Sequence, residues 1–342
     1  MKVWFITGAS RGIRQAIVIL SCLLTAASVT AKDKYDHYLF CYFNGNATEE
    51  QQVWYAVSKD GINFTPLNDG KPVVRADTIS VSGGVRDPHI LRGEDGWFYQ
   101  VLTDMDWQAG KWSNRGIIMM RSHDLVNWEH HTVQFPQRFA GTDFAKVNAV
   151  WAPQTIYDPA VGKYMVYFSL HSDKAMADSP FPTDVVYYAY ANAAFSDLEG
   201  TPQRLFTYDG PAIDTDIVRD DAGTYHLFFN TWGGAFKGTG RREYVFTDLH
   251  APDTWTLLPS RIQPTANNSE GSCAYPRKEG GWLMVYDCFQ DSICQFCESA
   301  DLVNFRHVAD TKKSGSFTPR HGTVIPITKK EMKNINKHLK KM

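Results

Sequence analysis

"IDTDIVRDDAGTYHLFF", residues 213–229, opens on polar residues, turns apolar, breaks over Asp220–Gly223 and resumes as a run of β-branched and aromatic residues. The break has turn chemistry, so the stretch reads as two successive strands. The same pair recurs three times, as "RDPHILR" at 86 with "GWFYQVL" at 96, "WAPQTIY" at 151 with "GKYMVYF" at 162, and "EGSCAYP" at 270 with "GGWLMVY" at 280. Because each first member starts polar and becomes apolar, its opening residues are expected to reach a solvent-lined space.

A third element keeps step with the pair. "SKDGINF" at 58–64, "SHDLVNW" at 122–128, "FSDLEG" at 195–200, "FTDLHAPDTW" at 246–255 and "SADLVNF" at 299–305 share Ser or Thr one or two residues before an Asp that is followed by Leu or Gly. Asp60, Asp124, Asp197, Asp248 and Asp301 follow one another at 64, 73, 51 and 53 residues, an internal repeat with five copies. The two ends are incomplete in opposite senses. "YLFCYF" at 38–43 lacks an opening strand, whereas "RHGTVIPI" at 320–327 is an opening strand with no partner after it. If both belong to one sheet, the chain is an all-β, five-bladed β-propeller over 32–328, closed by a blade that the N- and C-terminal segments share. Met332, Ile335 and Leu339 at helical spacing predict a short C-terminal helix within 329–342.

Residues 1–31 read differently. "KVWFITGASRGI" at 2–13 imitates a dinucleotide-binding turn, but Arg14 stands where the next glycine should be, and no acidic residue lies among the twenty that follow Gly12. Tyr55 and Lys59, a Tyr-x-x-x-Lys pair, lie inside an ordinary repeat, so no nicotinamide cofactor is expected. Lys2, Arg11 and Arg14, the apolar run "AIVILSCLLTAASV" and the small residues before Ala31 make an atypically extended secretory signal. The expected location is secreted or periplasmic, with a lipoprotein anchored at Cys22 as the second possibility. Without the leader the formal net charge moves from -2 to -5, and nothing suggests a nucleic-acid partner. Aromatic residues make up 13% of the chain, including ten tryptophans, a composition suited to stacking on sugars. Cys294 and Cys297 form a lone C-x-x-C without a second pair at zinc spacing; ordinary thiols or one local disulfide are expected.

In a propeller the opening strands are innermost. Asp87, Trp151, Asp214, Glu270 and His321 should therefore converge on the channel mouth in matching register, with Asp216 deeper and on the same side as Asp214. Three carboxylates gathered in a partly dry site are costly unless they are used. The order "RDPHI", "WAP", "AIDTDI", "EGSCAY" and "RHGT" resembles glycoside hydrolase family 43, inverting β-propeller glycosidases, from about Tyr38 to Ile327. The resemblance implies Asp87 as general base, Asp214 as the aspartate that orients the acid and tunes its pKa, and Glu270 as general acid. Arg86, Trp151, Gln154, Trp232 and His321 are the expected substrate contacts, with Trp107 as a further wall. Gln154 stands where many relatives carry an acid. Inverting hydrolysis asks for an acid and a base about 6.5 to 9.5 Å apart, a separation that blades across a narrow channel can supply. The substrate implied is an α-L-arabinofuranosyl or β-D-xylosyl oligosaccharide or polysaccharide of plant type. No cofactor is required; His321 is expected to hydrogen-bond a carboxylate, the alternative being that it helps hold a structural calcium ion with waters. Two other readings fit the fold: a sugar-binding propeller without activity, and a fructan-type hydrolase, whose early Asn-Asp-Pro-Asn run is replaced by "YFNGN" at 42–46.

Overall fold

The computed structural model describes residues 35–110, 114–172, 180–181, 183–233, 236–311 and 315–340. The expected leader over 1–31, Cys22 included, lies outside the described residues. Five four-stranded antiparallel sheets form the five-bladed β-propeller. Blade 1 is Gly322–Ile327, His37–Tyr42, Trp54–Ser58 and Thr65–Pro66, from the axis outward. Blade 2 is Val85–Arg92, Phe98–Asp104, Gly116–Ser122 and Glu129–Gln134; blade 3 is Ala149–Asp158, Lys163–His171, Val185–Ala191 and Leu198–Arg204. Blade 4 is Ile213–Arg219, Tyr225–Gly233, Phe236–Phe246 and Thr256–Leu257; blade 5 is Glu270–Pro276, Trp282–Cys288, Ile293–Ser299 and Arg306–Asp310. Each inner strand packs against the inner strands of both neighbouring blades, and the circuit closes.

Both faces of a blade are covered, so the core is not one mass but five wedges between blades. Tyr99, Val101, Phe168 and Leu170 fill the wedge between blades 2 and 3, and Phe228, Met284 and Tyr286 that between 4 and 5. The closure is antiparallel pairing of the chain ends, from His37 opposite Ile327 to Tyr42 opposite Gly322. The Asp repeats are the turns between the third and fourth strands. In three of them the aspartate accepts from the serine two residues before it and from the two backbone N–H groups and the asparagine after it, as Asp60 does from Ser58, Ile62 and Asn63. Asp124 and Asp301 repeat the pattern, while Asp197 is taken by Arg138. Cys41, Cys273, Cys288, Cys294 and Cys297 are buried, and among the described residues they form no disulfide with one another. The helix Lys329–Leu339 starts at a capping box between Thr328 and Glu331, buries Ile335 and is tied to blade 2 by Arg92 on Glu331 at 2.8 and 2.9 Å.

One irregularity recurs. Four inner strands carry a β-bulge near the axis, and the residue in the left-handed region is Asp87, Ala152, Asp214 or Gly271, with φ between 45° and 53°. Aspartate tolerates that region better than most residues, and glycine adopts it freely. The expected common register of the three carboxylates is corrected here. Asp87 and Asp214 are true equivalents, but Glu270 stands one residue earlier, level with Arg86, Trp151 and Ile213, because the bulge in blade 5 falls on Gly271.

Ending the chain at Pro319 removes the inner strand of blade 1 and leaves the edge of His37–Tyr42 open. The truncated protein is expected to aggregate or to lose its cooperative melting transition. An unchanged melting temperature would refute the closure as the lock of the ring.

Candidate active site

The bulges turn side chains across the seams between blades. Asp87 is 9% exposed, and its Oδ2 accepts from Thr103 Oγ1 at 2.8 Å. Thr103 in turn accepts the Ala152 N–H of blade 3 at 2.9 Å, so a bulge residue of one blade steadies the acid of the next. Asp214 repeats the device, its Oδ2 accepting the Gly271 N–H of blade 5 at 2.8 Å. Asp216 also turns to blade 5 and accepts the Ala274 N–H at 2.8 Å, the shared direction that alternation predicts.

His321 joins the two aspartates. Its Nδ1 lies 3.4 Å from Asp87 Oδ1 and 4.0 Å from Asp214 Oδ1. Burial favours the neutral ring, but the hydrogen bond to Asp87 and the charges of Asp214 and Asp87 outweigh it and raise its pKa. The same contacts act on the acids in opposite senses. Burial tends to raise Asp87, yet the hydrogen bond and charge of His321, with Arg86 and Thr103, hold it below the ordinary carboxylate range. Asp214 ends up raised, by burial first and then by the charge of Asp87, with His321 only partly compensating.

Glu270 is different. Its side chain is 34% exposed, and Oε1 accepts from Arg320 Nη2 at 2.5 Å. Burial within the mouth pushes its pKa up to about 7; Arg320 opposes this, and Asp287, then Asp214 and Asp87, reinforce it. The charge that raises Glu270 most is thus that of Asp287, ahead of Asp214, on which the resemblance placed the tuning. Asp287 is buried and holds Arg320 through its Nε, so Asp287, Arg320 and Glu270 form one chain.

The remaining expected contacts divide. Arg86 is at the mouth, its Nη1 on Asn46 Oδ1 at 2.7 Å and its guanidinium 4.4 Å over the Phe43 ring and 5.5 Å from that of Trp107. Trp151 is half-buried one residue before the blade 3 bulge, and Trp232, 40% exposed, stands two residues beyond the rung of Ile213. Gln154 departs from expectation. It is 2% exposed and accepts from Tyr167 Oη, which itself accepts the Ile217 N–H, so it serves the seam between blades 3 and 4 and not the mouth. Among the described residues no group of three or more His, Cys, Asp or Glu side chains is placed to hold a metal ion, and His321 Nδ1 faces Asp87. The residues present form no protein cage for the calcium ion implied by the resemblance, and no step is derived through one.

Gly271 is the tightest point. With φ at +52° and the His321 ring lying over it, a Cβ would overlap the imidazole. Gly271→Ala is expected to displace His321 and lower kcat by at least about 100-fold, since small misplacements of catalytic groups cost that much. Its protein should still fold, as judged by circular dichroism, and wild-type kcat in a folded variant would refute the packing argument.

A family model described as a probable glycosyl hydrolase domain, related to glycoside hydrolase family 43, matches residues 33–333. The chain belongs to that family. Its fold is similar to that of an endo-arabinase from Bacteroides thetaiotaomicron, at 14% identity and a TM-score of 0.53 over 85% of this chain and 89% of that one. A family 43 protein from Bacillus licheniformis gives 14% identity and a TM-score of 0.51 over 86% and 55%. A β-1,2-mannobiose phosphorylase from a Thermoanaerobacter species is 34% identical over 98 residues, 28% of this chain and 31% of the relative. The chain thus spans about a third of the length of the curated relatives it matches. The three acids gathered at its mouth can supply acid–base chemistry.

Proposed function

We propose that this hydrolase cleaves its glycosidic bond in a single displacement with inversion, and that the residue released is α-L-arabinofuranosyl or β-D-xylosyl. The observation that carries the mechanism is the opposed protonation of two carboxyls at one mouth. Asp87 is held ionised by His321, as a base that activates water must be, while Glu270 keeps its proton to about pH 7, as an acid that protonates the leaving oxygen must. Asp214 and His321 fix the geometry between them. Trp107, half-buried with the Arg86 guanidinium 5.5 Å from its ring, offers a face against which a sugar can pack. The pentose choice follows the motif resemblance, and the endo-arabinase named above acts on a polymer of that class.

A second reading has its own support. The curated relatives matched at 34% and 33% identity are a mannobiose phosphorylase and an oligomannan phosphorylase. In that reading phosphate replaces water as the attacking group and the product is a sugar 1-phosphate. One experiment separates the two: the purified protein is offered aryl arabinofuranosides, aryl xylosides, linear arabinan and β-mannobiose, each with and without inorganic phosphate. Free pentose of inverted anomeric configuration, independent of phosphate, is the expected result. Phosphate-dependent release of mannose 1-phosphate would replace it with the second reading, and binding without turnover would leave a sugar-binding propeller.

A further inference from the structure

The rung at the mouth end of blades 2 to 5 is built on one plan. Its second-strand residue is polar, namely Thr103, Ser169, Asn230 or Asp287, and pairs with Arg86, Trp151, Ile213 or Glu270 on the inner strand. The third-strand residue on the same rung differs between blades. Blade 2 has Ile117 opposite Thr103, and blade 5 has Cys294 opposite Asp287. Blade 3 places Phe168 and Ser169 opposite Tyr187 and Val186, again without a charge. Blade 4 alone puts an ion there: Arg241, opposite Asn230.

Arg241 is completely buried, and among the described residues none of its three guanidinium nitrogens has a hydrogen-bond partner. A guanidinium cannot shed its charge in a protein, so its presence in the seam demands compensation. The charged and titratable groups facing it are Asp214 and Asp216 from the inner strand of its own blade, Tyr286 and Cys288 from blade 5, and His321 at the mouth. Arg261, on the segment between the two blades, faces the same Tyr286 and Cys288. Asp214 and Asp216 both spend an oxygen on blade 5 backbone, and neither donates or accepts at Arg241. Its action on them is therefore that of a fixed positive charge.

We propose that Arg241 is a positioning residue of the reaction, the buried countercharge to Asp214 where that aspartate meets His321. The proposal rests on the catalytic reading given above. Burial raises both carboxyls, Asp216 to about 7, and Arg241 is among the charges that oppose this. Without it Asp214 would hold its proton to higher pH. A neutral Asp214 no longer attracts the imidazolium, and His321 is freed from one of the two acids that seat it against Asp87.

The test compares Arg241→Met, which removes the charge at similar length, with Arg241→Lys, which keeps it. In Arg241→Met the acidic limb of the kcat/KM profile is expected to move to higher pH by about 1 unit or more, the size of a single close charge effect. Arg241→Lys should keep the limb near its wild-type position. A limb that stays in place in folded Arg241→Met, whatever the loss of melting temperature, overturns the proposal. A second arm needs no activity. Removing one member of a buried charge set destabilises more than removing both, so at a pH well above 7, where Asp216 is ionised, Asp216→Asn added to Arg241→Met should recover melting temperature. A double variant no better than Arg241→Met alone overturns the countercharge role even if every substrate tried is inert. Recovery of stability with an inactive wild-type protein would leave the countercharge standing and count against the catalytic reading instead.

Discussion

Asp87→Asn is expected to lower kcat/KM by about 10³- to 10⁴-fold on every substrate, whatever its leaving group, because general-base activation of water contributes on that order. The substitution is mild for the fold. Asparagine suits the left-handed backbone at φ 51° as well as aspartate does, and its carbonyl oxygen can still accept from Thr103 Oγ1. What it removes is the negative charge that His321 faces at 3.4 Å and the basic oxygen that takes the proton from water. Azide needs no base, so it should restore rate on activated aryl glycosides and give a glycosyl azide of inverted configuration. A variant that keeps more than about a tenth of wild-type activity would remove Asp87 from the reaction. A rescued product of retained configuration would instead assign the enzyme to double displacement.

The propeller was legible in the chain because its signals are local and repeated. Polar-to-apolar opening strands, glycine-led second strands and the Ser-x-Asp turns each announce themselves within about seven residues, and five copies in step leave few other topologies. The site was legible to the level of residue identity, and less so in register. Alternation assumes a regular strand, and the bulges at Asp87, Ala152, Asp214 and Gly271 break that assumption at the very residues that matter. Gln154 misled for a related reason. Two residues past Ala152, it lies beyond the bulge, where side chains turn back into the seam and meet Tyr167.

Arg320 and Asp287 carry no motif of their own, although both lie within or directly after the repeated segments. Arg320 precedes His321 in "RHGT", and Asp287 follows "GGWLMVY" directly. The available signal was the polar residue that ends each apolar run of the second strands, Thr103, Ser169, Asn230 and Asp287, all on one rung. That rung is where the inner strands carry their functional side chains. Arg241 gave no such signal, since only pairing through Asn230 shows that a third-strand residue shares the rung.

Glu270→Gln tests the other half of the mechanism, and its signature is selectivity and not mere loss. The variant keeps the shape of the side chain, and an amide oxygen can still accept from Arg320, so binding should change little. It cannot deliver a proton. Substrates whose departing alcohol is a sugar hydroxyl depend on that proton and are expected to lose about 10³-fold or more in kcat, within the span for general-acid catalysis. Aryl glycosides with acidic phenols leave unaided and should lose less than about tenfold. The pH profile supplies an independent check of sign. Glu270 must be protonated to act, so wild-type activity should fall as pH rises through about 7, and this limb should be absent from the variant on activated substrates. Removing Asp287 should draw the limb to lower pH, because its charge helps Glu270 hold the proton, although Arg320 freed from Asp287 then bears more closely on Glu270 and adds to the same shift. Equal losses on both substrate types, with the alkaline limb unmoved, would show that the proton comes from another group and that Glu270 serves Arg320 alone.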